Sequence, residues 1–267
     1  MHGKKNTLQP TTLLKTHDHI QAPLWLSFRS DPALSIYPQH GHAWAEFIYA
    51  FHGIMEVRID HIDYIVPPPY GLWLPAHVKH RGLNRTAVTH GTLYIHESLC
   101  HDLPKNPGIL LNSPLVTAIF EHLYVSSAPV NSDEHQRLLM VLIDQLKQAQ
   151  LVSRYLPSTS HPALKILLEY LHQHPADQSA LKTLATQINM SERTLARLSQ
   201  QELGMSLHEW RQRLKVIKAI SLLNQKKTIE QIGLDLGYSS ASAFISVFKR
   251  WMQMTPDQFR KSHRPMS

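Results

Sequence analysis

One cysteine, Cys100, stands among 267 residues. A lone thiol has no partner for an internal disulfide framework and excludes a cysteine-rich zinc module. It fits a reducing compartment. No apolar run approaches the roughly 20 residues that cross a bilayer. The opening MHGKKNTLQP is polar and has no apolar signal stretch. A soluble cytoplasmic protein that engages no membrane is therefore expected. Also absent are a Ser/His/Asp nucleophile motif, a phosphate-cradling glycine loop and a cysteine-based active site. Apolar residues make up 43% and charged residues only 18%. That excludes a disordered chain or a collagen-like fibre, and supplies core for two ordinary domains or one large one.

Acidic residues are outnumbered, 20 to 27, which leaves a net charge of +7. From His161 onward there are 15 Lys and Arg against 8 Asp and Glu, so the whole excess lies there, and residues 1–160 are neutral. Such asymmetry points the C-terminal part toward a polyanion. A basic surface without a partner is the alternative. Of the 19 histidines, 14 precede His161, which raises the question of metal in the neutral part.

Residues 1–22 read as an irregular arm. Short stretches rich in β-branched and aromatic residues follow at 25–29, 46–51, 54–59, 64–66, 72–74 and 92–95, cut by Pro, Gly, Asn and Asp. Several short, regularly spaced strands predict a sandwich or barrel up to residue 104. After Pro107 the period turns helical, through Leu115, Ile119 and Leu123. Ser132 or Asp133 caps a second helix. Its Leu138, Leu139, Leu142 and Leu146 form either a dimer surface or an intramolecular core face. This gives a helical linker and dimerisation region over 105–157. A Pro/Ser/Thr linker at 157–162 leads into an all-α part, 158–267, with helices expected over 163–172, 181–187, 192–201, 207–224, 229–236, 241–252 and 256–261.

Within that part, a short amphipathic helix ends near Ile188. Ser191 then caps the next helix, with Leu195 and Leu198 facing inward. Arg193, Thr194, Ala196, Arg197 and Gln200 remain on outward faces. This is a helix-turn-helix pattern, whose second helix enters a major groove. The plan returns at 229–250: a short helix, a turn at Gly237, a cap at Ser239 or Ser240, and a helix with Phe244 and Phe248 inward. The helix between the units, 207–224, is roughly 27 Å long. It suits two reading helices about one DNA turn, ~34 Å, apart.

Residues 163–263 resemble the AraC/XylS family of bacterial transcription regulators. The most specific match is Gly237-Tyr-Ser-Ser-Ala-Ser-Ala-Phe-Ile-Ser-Val-Phe-Lys-Arg followed by Thr255-Pro256 and Phe259-Arg260. Ser191-Glu-Arg-Thr-Leu and Gly204-Met-Ser-Leu-His-Glu-Trp210-Arg211 match as well. Two positions depart from the family pattern. Gln253-Met254 stands where a glycine usually precedes the Thr-Pro, and Ser199 replaces a bulky aromatic. The resemblance implies groove-facing Arg193, Thr194, Ala196 and Arg197 in the first unit, and Ser240, Ala241, Ser242, Ile245 and Ser246 in the second. Arginine's planar fork suits guanine O6 and N7. The first unit would therefore read sequence more sharply, while Lys249 and Arg250 position the protein on phosphates. For Arg211, Arg213, Lys215, Lys218, Lys226 and Lys227 a solvated helix face is the expectation.

His40, His42 and Glu46 share parity, so on a strand they project from one face. Two imidazoles and a carboxylate make a plausible coordination shell, with His80 as a third imidazole. Residues 24–99 resemble the cupin β-barrel motifs: His40-x-His42, then Glu46 and Gly53, then Pro75-Ala-His77-Val-Lys-His80 with Asn84. By that resemblance His40, His42, Glu46 and His80 hold a divalent transition metal, Zn, Ni, Fe or Mn. The other reading is a metal-free polar barrel mouth. Leu34 and His77 stand where the motifs have glycine. His77, His90 and His96 are secondary candidates.

The expected architecture is α+β: a cupin-like β-barrel over 1–104, helices, and an all-α domain with two helix-turn-helix units. The expected function is a sequence-specific, DNA-binding transcription regulator that acts on double-stranded promoter DNA as a homodimer. Its barrel would sense a small molecule or metal ion. The alternative is a metal-dependent cupin enzyme, of dioxygenase or isomerase type, tethered to a DNA-binding domain.

Overall fold

The computed structural model describes residues 9–10, 23–60, 62–84, 87–126, 132–152, 154–223, 225 and 227–262. It divides into two units, residues 1–155 and 156–267. The first unit is a cupin-like β-barrel of two sheets. One sheet joins β1 (Gln9–Pro10), β3 (Ser35–Ile36), β8 (His80–Asn84), β5 (Met55–Ile59) and β6 (Ile62–Val66), in that order. The other joins β11 (Leu151–Val152), β10 (Gly108–Leu111), β7 (Tyr70–Leu74), β4 (Trp44–His52), β9 (Val88–His96) and β2 (Leu24–Asp31).

Strand β4 is buried at every position from Ala45 to Phe51. Alternation explains why both faces are covered. Ala45, Phe47, Tyr49 and Phe51 join an apolar core beneath two helices. Glu46 and Ile48 point the other way, into a cavity between the sheets. Strand β8, His-Arg-Gly-Leu-Asn, has little β-propensity and was not among the expected strands. Its pairing makes it one: Val57 stands opposite Gly82, and Ile59 opposite His80.

Residues 105–157 do not form the separate helical linker that was expected. They contribute β10 and β11 to the six-stranded sheet. Helices α1 (Pro114–Val125) and α2 (Asp133–Gln148) lie between these strands and cap its apolar face. Ser113 and Ser132 cap the two helices through Val116 N and His135 N. Leu139, Leu142 and Leu146 are 0%, 0% and 1% exposed, and Leu138 packs against the same core. These leucines are core residues and not a dimer surface. A sheet face this apolar has to be covered by another layer, and burying a leucine contributes about 1.5–3 kcal/mol. The expected arm, 1–22, lies outside the described residues except Gln9–Pro10, which pairs in parallel with β3.

The second unit is all-α: α3 (Pro162–Gln173), α4 (Leu181–Gln187), α5 (Glu192–Leu203), α6 (Leu207–Leu223), α7 (Ile229–Asp235), α8 (Ala241–Met252) and α9 (Pro256–Ser262). Leu195, Ser199 and Leu203 form the buried stripe of α5, and Phe244, Phe248 and Met252 that of α8. The inward face of α5 thus steps by four. Leu198, expected there, is only half-buried. Gly204 ends α5 in the left-handed region at φ 69°. Gln253, where the family has glycine nearby, ends α8 the same way at φ 56°, so the helix stop survives the replacement. In α6, Trp210 is buried and its Nε1 donates to the Pro157 carbonyl at 2.8 Å.

Candidate nucleic-acid interface and metal site

Helices α4 and α5 form the first helix-turn-helix, and α7 and α8 the second. Each reading helix is held open at its start by a serine. Ser191 Oγ accepts from Thr194 N at 3.1 Å, and Ser240 Oγ from Ala243 N at 3.2 Å. The second unit's first helix carries a full capping box between Thr228 and Gln231. Arg193, Thr194, Ala196, Arg197 and Gln200 are exposed on α5. Ser240, Ser242, Ser246, Lys249 and Arg250 are exposed at α8, whereas Ala241 and Ile245 are half-buried. The Arg250 guanidinium lies 5.5 Å from the Trp251 ring centroid.

The other cations of this unit divide. Arg211 donates to the Ser179 carbonyl at 2.9 Å and pairs with Asp177 at 3.2 Å. Arg213 pairs with Glu209 at 2.6 Å and covers the Trp251 ring at 4.7 Å. Lys227 pairs with Asp235 at 2.6 Å. Lys218 is half-buried, and Lys226 lies outside the described residues. Lys215, expected on a solvated face, is 6% exposed. Ser199 is fully buried, and its hydroxyl has no partner among the described residues.

In the barrel, residues 40–43 are not regular strand, so parity along one strand is not what gathers the histidines. A bridge between His40 and His80 does so, with backbone bonds of 3.0 and 2.9 Å. His77 N donates to the His42 carbonyl at 2.8 Å. His77 itself is an exposed turn residue at φ 66°, and Leu34 takes φ 67°, so both glycine-like turns form with side chains present. Glu46 projects from β4 and is 4% exposed; His80, at the start of β8, is 5% exposed.

One ligand atom from each of His40, His42 and His80 lies within 4.8 Å of the others. Glu46 Oε1 is 3.0 Å from His42 Nε2, and Oε2 is 3.5 Å from His80 Nε2. The Nδ1 atoms of the three histidines meet the carbonyls of Pro38, Trp44 and Val78 at 3.0, 2.8 and 2.9 Å. A carbonyl only accepts, so each Nδ1 carries the hydrogen and each neutral Nε2 is left with its lone pair. At 3.0 Å, such a nitrogen and a carboxylate oxygen need a cation between them, either a proton or a metal. Burial lowers the pKa of His42, but Glu46 together with backbone hydrogen bonds, that of the Trp44 carbonyl among them, more than offsets this and holds it above the ordinary value. Burial and His80 push the pKa of His40 down. The donor set fits a divalent transition metal, and its backbone-held imidazoles are the support that such ligands need.

His40, Glu46 and His80 line a cavity of about 80 Å³ that also takes in Arg29, Asn84 and His90. Tyr37, Asn84 and His90 of its lining belong to a network whose pairing the sequence did not reveal. His90 Nε2 is 3.2 Å from Asp31 Oδ2, Asn84 Nδ2 donates to the same oxygen at 3.4 Å, and Tyr37 Oη donates to Oδ1. Arg29 sits over the Tyr37 ring, 5.3 Å from its centroid. The sequence singled out Asn84 and His90 but not their bonds to Asp31, because β2, β8, β9 and the segment after β3 bring the partners together. His96 is exposed and bonded to Ser98, away from the cluster.

A barrel whose cavity is lined by both apolar and ionisable side chains, carried on one chain with two helix-turn-helix motifs, defines a transcription regulator with a DNA-binding and a ligand-binding domain. Residues 28–208 match the family described as the AraC-like ligand binding domain, and residues 184–262 match the helix-turn-helix domain family. The HTH-type transcriptional regulator NimR of Escherichia coli (strain K12) is 32% identical over 223 residues, which cover 83% of this chain and 81% of that protein. The HTH-type transcriptional activator RhaS of Escherichia coli O157:H7 is 30% identical over 125 residues, 46% of this chain and 44% of that protein. Among solved structures, an AraC-type DNA-binding regulator from Chromobacterium violaceum is 28% identical, covers 40% of this chain and 97% of that one, and has a TM-score of 0.38. The chain belongs to the AraC family of transcription regulators. No described helix is long and apolar enough to cross a membrane.

Proposed function

We propose that the protein is a sequence-specific regulator of promoter DNA in the cytoplasm, switched by a small molecule or metal ion held in the barrel. The observation that carries this reading is the pair of serine-capped helices, α5 and α8. Each is backed by a buried stripe, apolar in α8 and apolar but for Ser199 in α5, and has a polar or cationic outer face. Arg193, Thr194, Ala196 and Arg197 contact bases in one groove. Ser240, Ala241, Ser242, Ile245 and Ser246 line the next, with Lys249 and Arg250 on phosphates. A homodimer belongs to the same reading. With the leucines of α2 in the core, the exposed Leu115, Met140 and Val141 on α1 and α2 support it as the contact face.

His40, His42, Glu46 and His80 would hold the divalent ion, which supplies a Lewis-acid anchor for a donor atom of an effector. Glu46 and the carbonyl-fixed imidazoles orient that site. Arg29, on the cavity wall, offers positive charge to an anionic group. Binding in the barrel shifts the population of DNA-competent molecules. The same donor set would serve a metal-dependent enzyme of dioxygenase or isomerase type. Two helix-turn-helix motifs on the chain favour the non-enzymatic sensor, because a metabolic enzyme has no use for them.

The test is selection of duplexes from a random pool by the purified full chain. The expected result is an enriched motif with two elements about one helical turn apart. No enrichment beyond non-specific binding overturns the reading.

A further inference from the structure

The face of α6 that carries His208, Arg211 and Lys215 forms the floor of two adjoining hollows. One, of about 540 Å³, is bordered by Ala196 and Gln200 of the first reading helix. The other, of about 290 Å³, is bordered by Ser239 and Ala243 at the start of the second. The floor thus joins the two helix-turn-helix units on the side where both present reading-helix residues.

Lys215 lines the second hollow and is 6% exposed. Its ammonium lies 4.8 Å from the Tyr238 ring centroid. The nearby carboxylate is committed elsewhere. Asp177 pairs with Arg211 at 3.2 Å and accepts from Tyr170 Oη at 3.0 Å and Ser179 N at 2.8 Å. Among the described residues no carboxylate pairs with Lys215. Burial, and then the Arg211 guanidinium, lower its pKa; Asp177 opposes them. An ammonium out of water with no carboxylate bonded to it is costly, and an anion brought into the hollow lessens that cost.

We propose that Lys215 takes a backbone phosphate of the duplex, in the stretch between the grooves entered by α5 and α8. The inference rests on the DNA-binding reading and adds a contact to it. A duplex held by both reading helices passes over the floor that joins them. A phosphate is the anion it presents there, and the contact carries no sequence information.

The test uses the full chain and a 30-base-pair duplex of arbitrary sequence, with affinity followed from 50 to 200 mM salt. Lys215→Met keeps the buried stem and removes the charge. One lost phosphate contact makes its fall in affinity over that range about 3.5-fold smaller than that of the unaltered chain. Lys215→Arg keeps the original salt dependence. Equal salt dependence in the unaltered chain and Lys215→Met overturns the proposal, as does Lys215→Arg behaving like Lys215→Met. A second measurement needs no variant: bound duplex slows acetylation of Lys215 by acetic anhydride several-fold, and absence of protection while duplex is bound overturns the proposal. A chain with no salt-dependent duplex binding at all removes the DNA-binding reading itself, and the Lys215 contact with it.

Discussion

Gly237 packs its bare α-carbon against the carbonyl of Ala176: a β-carbon at 237 would lie 2.4 Å from that oxygen. The backbone there is left-handed, at φ 73°, and the Gly237 carbonyl accepts from Gln178 Nε2 at 2.8 Å. The turn of the second helix-turn-helix is thereby pinned to the segment after α3. Gly237→Ala pays the left-handed cost of about 1–2 kcal/mol and must also displace backbone. A lowered melting temperature with weakened duplex binding is expected. A variant as stable as the original would show that the turn can shift freely.

Arg197 lies exposed on α5, one turn beyond Arg193. Arg197→Ala is expected to relax base preference at one position of the selected site and to weaken specific binding by about 1–3 kcal/mol. Non-specific affinity should change little. Footprint or shift titrations on single-base variants of the site check this. Unaltered discrimination removes Arg197 from the reading set.

Elemental analysis of the purified chain after equilibration with zinc, nickel, iron or manganese is expected to find about one ion per chain. His42→Ala loses that ion, because it removes the imidazole that meets Glu46 at 3.0 Å. Stoichiometric uptake by the variant, or none by the original chain, counts against the site.

The Asp31 carboxyl is pushed up by burial but pulled further down by hydrogen bonds from His90 and Tyr37, so its folded pKa lies below 3.8. A depressed carboxyl contributes stability above its unfolded pKa, and that contribution is lost as pH falls through the folded value. Asp31→Asn is therefore expected to be less stable than the original at pH 7, by about 1–3 kcal/mol for a buried charged hydrogen-bond acceptor. The gap should narrow as pH drops below 3.8. Urea unfolding at neutral and acidic pH measures it, and a gap that stays constant argues that the charge is not what matters.

The second unit was legible nearly helix by helix. Its stops and starts are local events: a serine three residues before the amide it caps, a glycine in the left-handed region, apolar side chains every three or four positions. In the barrel the motif spacing picked out His40, His42, Glu46 and His80, and the structure brings them together. The reason differs from the one read along the chain, for a bridge to β8 gathers them and a shared strand face does not.

The amino-acid order alone determined what short-range chemistry determines: two helix-turn-helix motifs, their caps, and the motif spacing that singles out His40, His42, Glu46 and His80. Only the tertiary structure decided what depends on partners distant in sequence. Asp31 and His90 are 59 residues apart and meet because β2 pairs with β9. The α2 leucines became core because an apolar sheet face needed a cover. Lys215 lost its solvent although Tyr238, whose ring centroid lies 4.8 Å from its ammonium, is 23 residues away in sequence. Burial and pairing are properties of neighbours in space, and a local pattern does not encode which neighbours arrive.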